Sequence, residues 1–239
     1  MNANHDVFGS AGMDYMLSPS KKKRITVWTD VAETDYIPLH YLFRAYGDMP
    51  SIEQKALSLW RGKILDVGAC MGVHSLYLQE CGADVTAFEL SPLACEVMQK
   101  RGVRQIINSN FMRCEPQAKY DTIMLLMNGA GIAGTIAGLP DFFAQVKKHL
   151  ATGGQILLDS TDIRYLFEDE DGSMRINLNG KYYGELTYRL SYRNCKSELF
   201  PWFFIDYNLL AIHAQQYGFS AEKIMDGLHY DYLAKLTMI

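Results

Sequence analysis

The 239-residue chain is long enough for one α/β domain with room for an insertion, and its hydrophobic fraction of 49% is that of a globular protein. A formal net charge of −4 excludes a global attraction to nucleic acid or to an anionic membrane. No run approaches the roughly 18 apolar residues of a membrane span, residues 1–20 lack the apolar stretch of a signal peptide, and five cysteines without CxxC spacing oppose both a disulfide framework and a zinc site. A cytoplasmic protein without a metal is the expectation.

The first 24 residues read as a poorly ordered arm, and the run Lys21-Lys22-Lys23-Arg24 as its solvated basic part. Residues 25–50 read as an irregular segment rich in aromatics. A helix is expected over 51–60, with Ser51 as N-cap and Leu57 and Trp60 on one face. Lys63–Val67 is then a strand running into glycines. Val73–Cys81 is a helix closed by Gly82, and Asp84–Glu89 is a second strand. Ser91-Pro92 starts a helix that ends at Gly102, since serine caps and proline fits the first helical position. Residues 103–107 form a third strand. Tyr120–Met127 is a fourth, apolar enough to be buried on both faces. Leu139–Leu150 is a helix and Gln155–Asp159 a fifth strand. Strands and helices alternating at this spacing imply a doubly wound, mostly parallel sheet.

The pattern changes after Ser160. From Glu185 to Arg193 polar and apolar residues alternate, which marks a half-buried antiparallel strand. A turn at 194–197 leads to a returning strand at 199–205, and Pro201 places that strand at an edge or a bulge. A helix over 206–217 ends at Gly218. Two last strands, 221–225 and 229–238, are joined through Asp226-Gly227, a hairpin dipeptide. Two domain-level pieces follow: residues 1–50 as an arm and cap segment, and 51–239 as the main domain, carrying an insertion at 160–205.

In a doubly wound sheet the ligand crevice lies beyond the carboxyl ends of the strands, where strand order reverses. Gly68 and Gly72 sit there, with Ala69 and Cys70 between them. Glu89 stands at the tip of the next strand, about 17 positions on, where a carboxylate can hold a ribose diol. A dinucleotide fingerprint starting at Gly68 would need glycines at 70 and 73, which are Cys70 and Val73, and no Gly-Lys-Ser/Thr of a P-loop is present. No basic residue in the loop meets a phosphate. Asp66 precedes the glycines instead, and suits a cationic group such as the ammonium of an amino acid.

The segment Ile64-Leu65-Asp66-Val67-Gly68-Ala69-Cys70-Met71-Gly72 resembles motif I of the class I S-adenosylmethionine-dependent methyltransferases. Val85–Pro92 resembles their motif II, Tyr120-Asp121-Thr122-Ile123 their strand-four signature, and Gly153-Gly154 with Ile156–Leu158 their approach to strand five. The resemblance spans roughly residues 50–160 and 206–239. It implies a seven-stranded sheet with an antiparallel C-terminal strand, here with a β-hairpin insertion after strand five. It also implies S-adenosylmethionine as methyl donor, leaving S-adenosylhomocysteine. The cofactor-binding residues implied are Asp66, Gly68, Ala69, Cys70, Gly72, Glu89, Leu90, Asn110, Phe111 and Asn128. Two departures stand out. Cys70 replaces the middle glycine, and fits if its φ stays negative. Asn110 replaces the usual aspartate, and meets the adenine amino group through its carbonyl oxygen.

Methyl transfer needs alignment more than acid–base machinery, so no catalytic residue is assigned. Asn128 aligns with the first position of the Asn/Asp-Pro-Pro-aromatic motif, but the prolines and the aromatic are missing. That opposes amino-group methylation of nucleic acid by that route. Asn128 either points toward the transfer centre or caps the glycine-rich turn. The acceptor site is expected from the added segments, with Tyr41, Tyr46, Tyr165, Tyr183, Trp202 and His229 as candidates and Phe203 beside them. Arg44 is expected at the surface, with pairing to the cofactor carboxylate or to an acidic substrate as the alternative, and His74 is expected against the sheet. The reading is methyl transfer to a small-molecule acceptor, with nucleic acid disfavoured. The alternatives are an RNA or protein acceptor, or a catalytically silent cofactor-binding protein.

Overall fold

The computed structural model describes residues 5–169, 171, 173 and 180–239. Its first element is a helix, α1 (Val7–Leu17), where a disordered arm was expected. Asp6 caps it by accepting the Gly9 N–H at 2.9 Å. Gly9 and Gly12 let α1 come close to its neighbours. A Cβ on Gly9 would collide with Leu93, and one on Gly12 with Met71. The basic run is tied down as well, since Lys23 pairs with Asp14 at 2.7 Å. The segment expected to be irregular holds two antiparallel strands, β1 (Arg24–Thr29) and β2 (Asp35–Pro38), followed by 3-10 turns at Leu39–Phe43 and Tyr46–Asp48.

Helix α2 (Ser51–Ser58) begins at Pro50, so Ser51 lies inside the first turn and no side chain caps it. There follow β3 (Ile64–Val67), α3 (Val73–Glu80), β4 (Val85–Glu89), α4 (Pro92–Arg101), β5 (Ile106–Asn108), β6 (Tyr120–Leu125), α5 (Leu139–His149) and β7 (Leu150–Thr161). The insertion contributes β8 (Glu185–Tyr192), β9 (Cys195–Lys196) and β10 (Phe200–Phe203). It also contains residues 170, 172 and 174–179, which lie outside the described residues. Helix α6 (Tyr207–Gln216), capped by Asp206, leads to β11 (Phe219–Asp226) and β12 (Asp231–Met238). The last two strands are joined by the four residues 227–230 rather than by a two-residue turn, and Gly227 N–H bonds the Asp231 carbonyl at 2.7 Å.

Seven strands form one sheet in the order β11-β12-β7-β6-β3-β4-β5. Strands β7, β6, β3, β4 and β5 run parallel, and β12 lies antiparallel to both β7 and β11. Both faces of the sheet are covered, which explains its continuously apolar strands. Leu65, Ile123, Leu125, Ile156 and Leu158 meet α5 and α6 through Phe142, Phe143, Val146 and Leu210. Ile64, Met124 and Leu157 meet Ile52, Leu57 and Leu78 on the other side. Strand order reverses between β3 and β6, so the crevice opens beyond their carboxyl ends.

A second sheet, β10-β8-β1-β2 with β9 against β8, joins the two added segments. Pro201 is on its edge strand β10, as its missing N–H requires. Ile25, Val27, Leu190 and Tyr192 on one side of this sheet pack with Val7 and Ala11 of α1, Leu42 of the first turn and Met71 of the glycine loop. The added segments therefore form a cap lying against the loop after β3. Among the described residues no helix is long and apolar enough to cross a membrane.

Candidate functional site

The loop after β3 is left-handed at three positions: Gly68 (φ 74°), Cys70 (φ 51°) and Gly72 (φ 77°). Gly68 and Ala69 donate their N–H groups to the Phe88 carbonyl at 2.8 and 3.2 Å, which pins the loop to β4. A Cβ on Gly68 would meet nothing within 4 Å, so that side of the loop is open. At Gly72 a Cβ would press on Val103 and Met98, so this glycine serves packing. Cys70 does not keep the negative φ expected of it. A left-handed L-residue costs about 1–2 kcal/mol, and Cys70 N–H offsets part of this by donating to Glu89 Oε2 at 2.8 Å. Desolvation, helped by Glu89, pushes the Cys70 thiol up and keeps it protonated.

Glu89 ends β4 and bridges two backbone donors, with Ser91 N–H on Oε1 at 2.8 Å and Cys70 N–H on Oε2. Desolvation raises its pKa, and the nearby Asp6 adds to the effect. Each carboxylate oxygen keeps a lone pair for a further donor. The neighbouring Leu90 is 45% exposed and offers an apolar face. Asn110 caps the 3-10 turn Phe111–Arg113, its Oδ1 accepting from Met112 N–H at 3.0 Å. The oxygen expected to face adenine is thus already partly used. The ring of Phe111 is buried edge-on against Phe88, with centroids 5.6 Å apart.

Asp66, 2% exposed, accepts from the Ser75 hydroxyl at 2.6 Å. It lines a cavity of about 20 Å³ together with Arg44, Gly68, Cys70, His74 and Met127, which is room for about one water. Arg44 is not at the surface but 7% exposed. Its guanidinium pairs with Glu53, reaches the Tyr41 carbonyl at 2.6 Å and stacks 3.9 Å from the Tyr41 ring centroid. Its Nε is buried without a partner. Glu53 also accepts from Tyr41 Oη at 3.0 Å and bonds His74 Nε2 at 2.7 Å. Burial opposes ionisation of Glu53, but the His74 hydrogen bond and charge, with those of Arg44, outweigh it and hold the carboxyl low. Burial and the Glu53 charge lift the Tyr41 phenol to about 12, so it stays neutral.

After β6 the chain turns through two left-handed residues, Met127 (φ 62°) and Asn128 (φ 61°). Buried Asp159, at the carboxyl end of β7, holds this turn by accepting Met127 N–H at 3.1 Å and Asn128 N–H at 2.7 Å. Its pKa rises to about 6, from burial above all and then from the Glu53 charge, against these hydrogen bonds. The Asn128 side chain neither caps the turn nor is free to face the crevice. Its Nδ2 donates to the Phe203 carbonyl at 3.1 Å and its Oδ1 accepts from Ser160 at 2.7 Å.

The acceptor candidates scatter. Tyr41 borders the cavity through Arg44. Tyr46 stacks on Tyr77 of α3, centroids 4.0 Å apart, within the α2–α3 layer. Tyr165 stacks on Tyr230 of the 227–230 loop at 5.2 Å, and Tyr183 donates to Asp162 at 2.9 Å. Trp202 covers Gly131, while Phe203 is fully buried in the main core. His229 is exposed in the loop before β12, its backbone N–H on Asp231 at 2.8 Å. Sequence reasoning passed over Asp6, Glu53, Asp159 and Tyr188. Tyr188 sits among Phe200, Trp202 and Phe204, with centroids 6.0, 6.4 and 6.2 Å away. The period-two pattern of its strand was the one signal that could have pointed to it.

No protein-family model matches the chain, and no curated protein does. Among solved structures it is similar to the crystal structure of an S-adenosylmethionine-dependent methyltransferase from Bacteroides fragilis in complex with S-adenosyl-L-homocysteine. The two are 43% identical over 100% of this chain and 97% of that one, with a TM-score of 0.92. It shares its fold with an S-adenosylmethionine-bound amino pentose methyltransferase from Micromonospora echinaspora, at 17% identity over 87% and 100% of the two chains and a TM-score of 0.58. A sugar N-methyltransferase from a Streptoalloteichus species gives 15% identity over 84% and 91%, with a TM-score of 0.58.

Proposed function

Since the chain belongs to the S-adenosylmethionine-dependent methyltransferase family, we propose that it passes a methyl group to a small-molecule acceptor by in-line displacement. S-adenosylmethionine is its cofactor. The observation that carries the reading is Glu89, held by the backbone N–H groups of Cys70 and Ser91 beside the open side of Gly68.

The residues present fit the cofactor. Arg44 brings an unpartnered buried Nε to a cavity whose wall also holds Asp66. Arg44 and Asp66 would hold the carboxylate and the ammonium of the cofactor's amino acid there, in a cavity that has room for about one water in this structure and must widen to admit it. Glu89 suits a ribose diol, the exposed face of Leu90 suits adenine, and Ala69, Gly72, Asn110, Phe111 and Asn128 shape the walls between. When bound, the sulfonium supplies a methyl group already activated for nucleophilic attack.

The protein's own part is alignment and exclusion of water, and holding two reactants in line supplies about 7–11 kcal/mol. The turn at Met127–Asn128, fixed by Asp159, and the second sheet, fixed on the glycine loop, provide rigid walls. We assign residues 51–239 to the transferase domain, residues 1–50 to a cap segment that serves both cofactor and acceptor, and the insertion 160–205 to the acceptor side. Tyr188, Trp202 and the Tyr165–Tyr230 pair are its aromatic surfaces. Small-molecule acceptors are named for the fold neighbours, and the net charge of −4 suits such an acceptor better than RNA.

Calorimetry tests this directly. S-adenosylmethionine and S-adenosylhomocysteine should both bind, and Glu89→Ala should weaken each by at least ~1.5 kcal/mol, since a charged hydrogen-bond acceptor is lost. Heat from NAD alone would overturn the cofactor reading. Unchanged affinity in Glu89→Ala would overturn the ribose assignment.

A further inference from the structure

Glu89 is oriented by Ser91, and Ser91 is in turn fixed by a residue at the far N-terminus of the chain. Asp6 is 1% exposed. The Ser91 hydroxyl donates to it, with both carboxylate oxygens at 2.7 Å. The same hydroxyl oxygen accepts from Ala94 N–H at 2.9 Å, and Ser91 N–H donates to Glu89 Oε1. All three polar functions of Ser91 nearest the site are thereby committed. Asp6 further accepts Gly9 N–H at 2.9 Å and Leu93 N–H at 3.3 Å. One carboxylate therefore stands at the N-termini of two helices, α1 and α4, and both helix dipoles favour its charge. The two helices meet closely here, since a Cβ on Gly9 would collide with Leu93 and Ser91.

We infer that Asp6 is a positioning residue for the cofactor's ribose: through Ser91 it fixes the rotamer of Glu89, so that the free lone pairs of that carboxylate face the open side of the glycine loop. The inference rests on the assignment of Glu89 to the ribose. Cys70 N–H holds the other oxygen of Glu89, so the carboxylate is clamped from the loop and from α4. Without Asp6 the α4 clamp loses its anchor while the loop clamp remains. Burial above all, and the charge of Asp6 as a smaller addition, raise the proton affinity of Glu89. α1 is on this account a working part of the cofactor site.

The test compares S-adenosylhomocysteine with its 2′-deoxy counterpart by calorimetry, in the intact protein and in the Asp6→Ala, Ser91→Ala and Glu89→Ala variants. Circular dichroism melts establish that each variant is folded. The intact protein should prefer the ribose form by about tenfold, the worth of one charge-assisted hydrogen bond. Asp6→Ala and Ser91→Ala should cut the preference to about threefold or less, and Glu89→Ala should abolish it. Ser91→Ala keeps its backbone N–H and the Asp6 cap of α1, so it carries the test if Asp6→Ala does not fold. Folded variants that weaken both ligands equally and keep the tenfold preference would reduce Asp6 to a purely structural role and overturn the proposal. A preference that survives Glu89→Ala would instead overturn the ribose assignment beneath it.

Discussion

Replacing Glu53 by glutamine puts the buried charges beside the cavity to a quantitative test. Glu53 and Arg44 have side chains each 3% exposed, and Glu53 is the common acceptor of Arg44, His74 and Tyr41. Glutamine keeps the shape and one acceptor oxygen but removes the charge that balances the guanidinium. Breaking a buried pair from one side costs about 3–5 kcal/mol, because the remaining ion is left uncompensated. Unfolding entropy of roughly 2.1 cal/mol/K per residue amounts to roughly 0.5 kcal/mol/K for this length, so the melting midpoint should fall by about 6–10 °C. The double variant Arg44→Met/Glu53→Leu removes both ions and should recover much of that loss. Differential scanning calorimetry reads both midpoints. A Glu53→Gln midpoint within ~2 °C of the parent, or a double variant below the single one, would refute the view that this pair is a buried, mutually dependent unit. The folded pKa of Glu53 is depressed, so its contribution is present above the unfolded value and is lost as pH falls through the folded one. The penalty of Glu53→Gln should accordingly shrink in acid.

Cys70→Gly relieves a left-handed L-residue at φ 51°, and should raise stability by up to about 1 kcal/mol in urea titrations; a loss of that size would show that the thiol's packing outweighs the strain. Asp159 acts in the opposite sense to Glu53. Its folded pKa is raised to about 6, so the folded state holds a proton that the unfolded state has released, and stability declines as pH rises from about 4 to about 6. The full effect is roughly 3 kcal/mol. It should appear as the pH dependence of the difference between the parent and Asp159→Asn, and a difference flat over that range would refute it.

The parts legible in the sequence were those whose signals are local. Ser91-Pro92 started a helix because capping and a fixed φ act within one turn, and β3, β4 and β6 declared themselves by apolar runs between glycines. The place of Glu89 at the end of β4, beside the glycine loop, was legible because its distance from that loop is set by one strand–helix–strand unit. The misses came from partners distant in sequence. β1 pairs with the short β2 beside it, but its other edge is completed by β8, far along the chain, so the sheet it belongs to left no local signal. α1 was mistaken for an arm because Gly9 and Gly12 are loop residues by propensity, and their use here is to let Leu93 and Met71 come close. Arg44 was misplaced because charge alone argues for exposure, and Glu53, which makes its burial tolerable, lies on another element. The left-handed φ of Cys70 goes with a hydrogen bond to Glu89 on another strand, which no local propensity encodes.

The pairing of β1 with β8 also fixes an order of events. Thr26 finds Ser191, and Val27 finds Leu190, from opposite ends of the chain. Contacts between such distant segments carry the loop-closure cost that slows folding. During synthesis β1 has only its neighbour β2 to pair with until the ribosome has released residue 191, so its other edge must wait, whereas β3 and β4 with their helices can assemble much earlier. The glycine loop is thus formed while its cap is still incomplete, and the arrival of β8 to β10 decides when it is closed over.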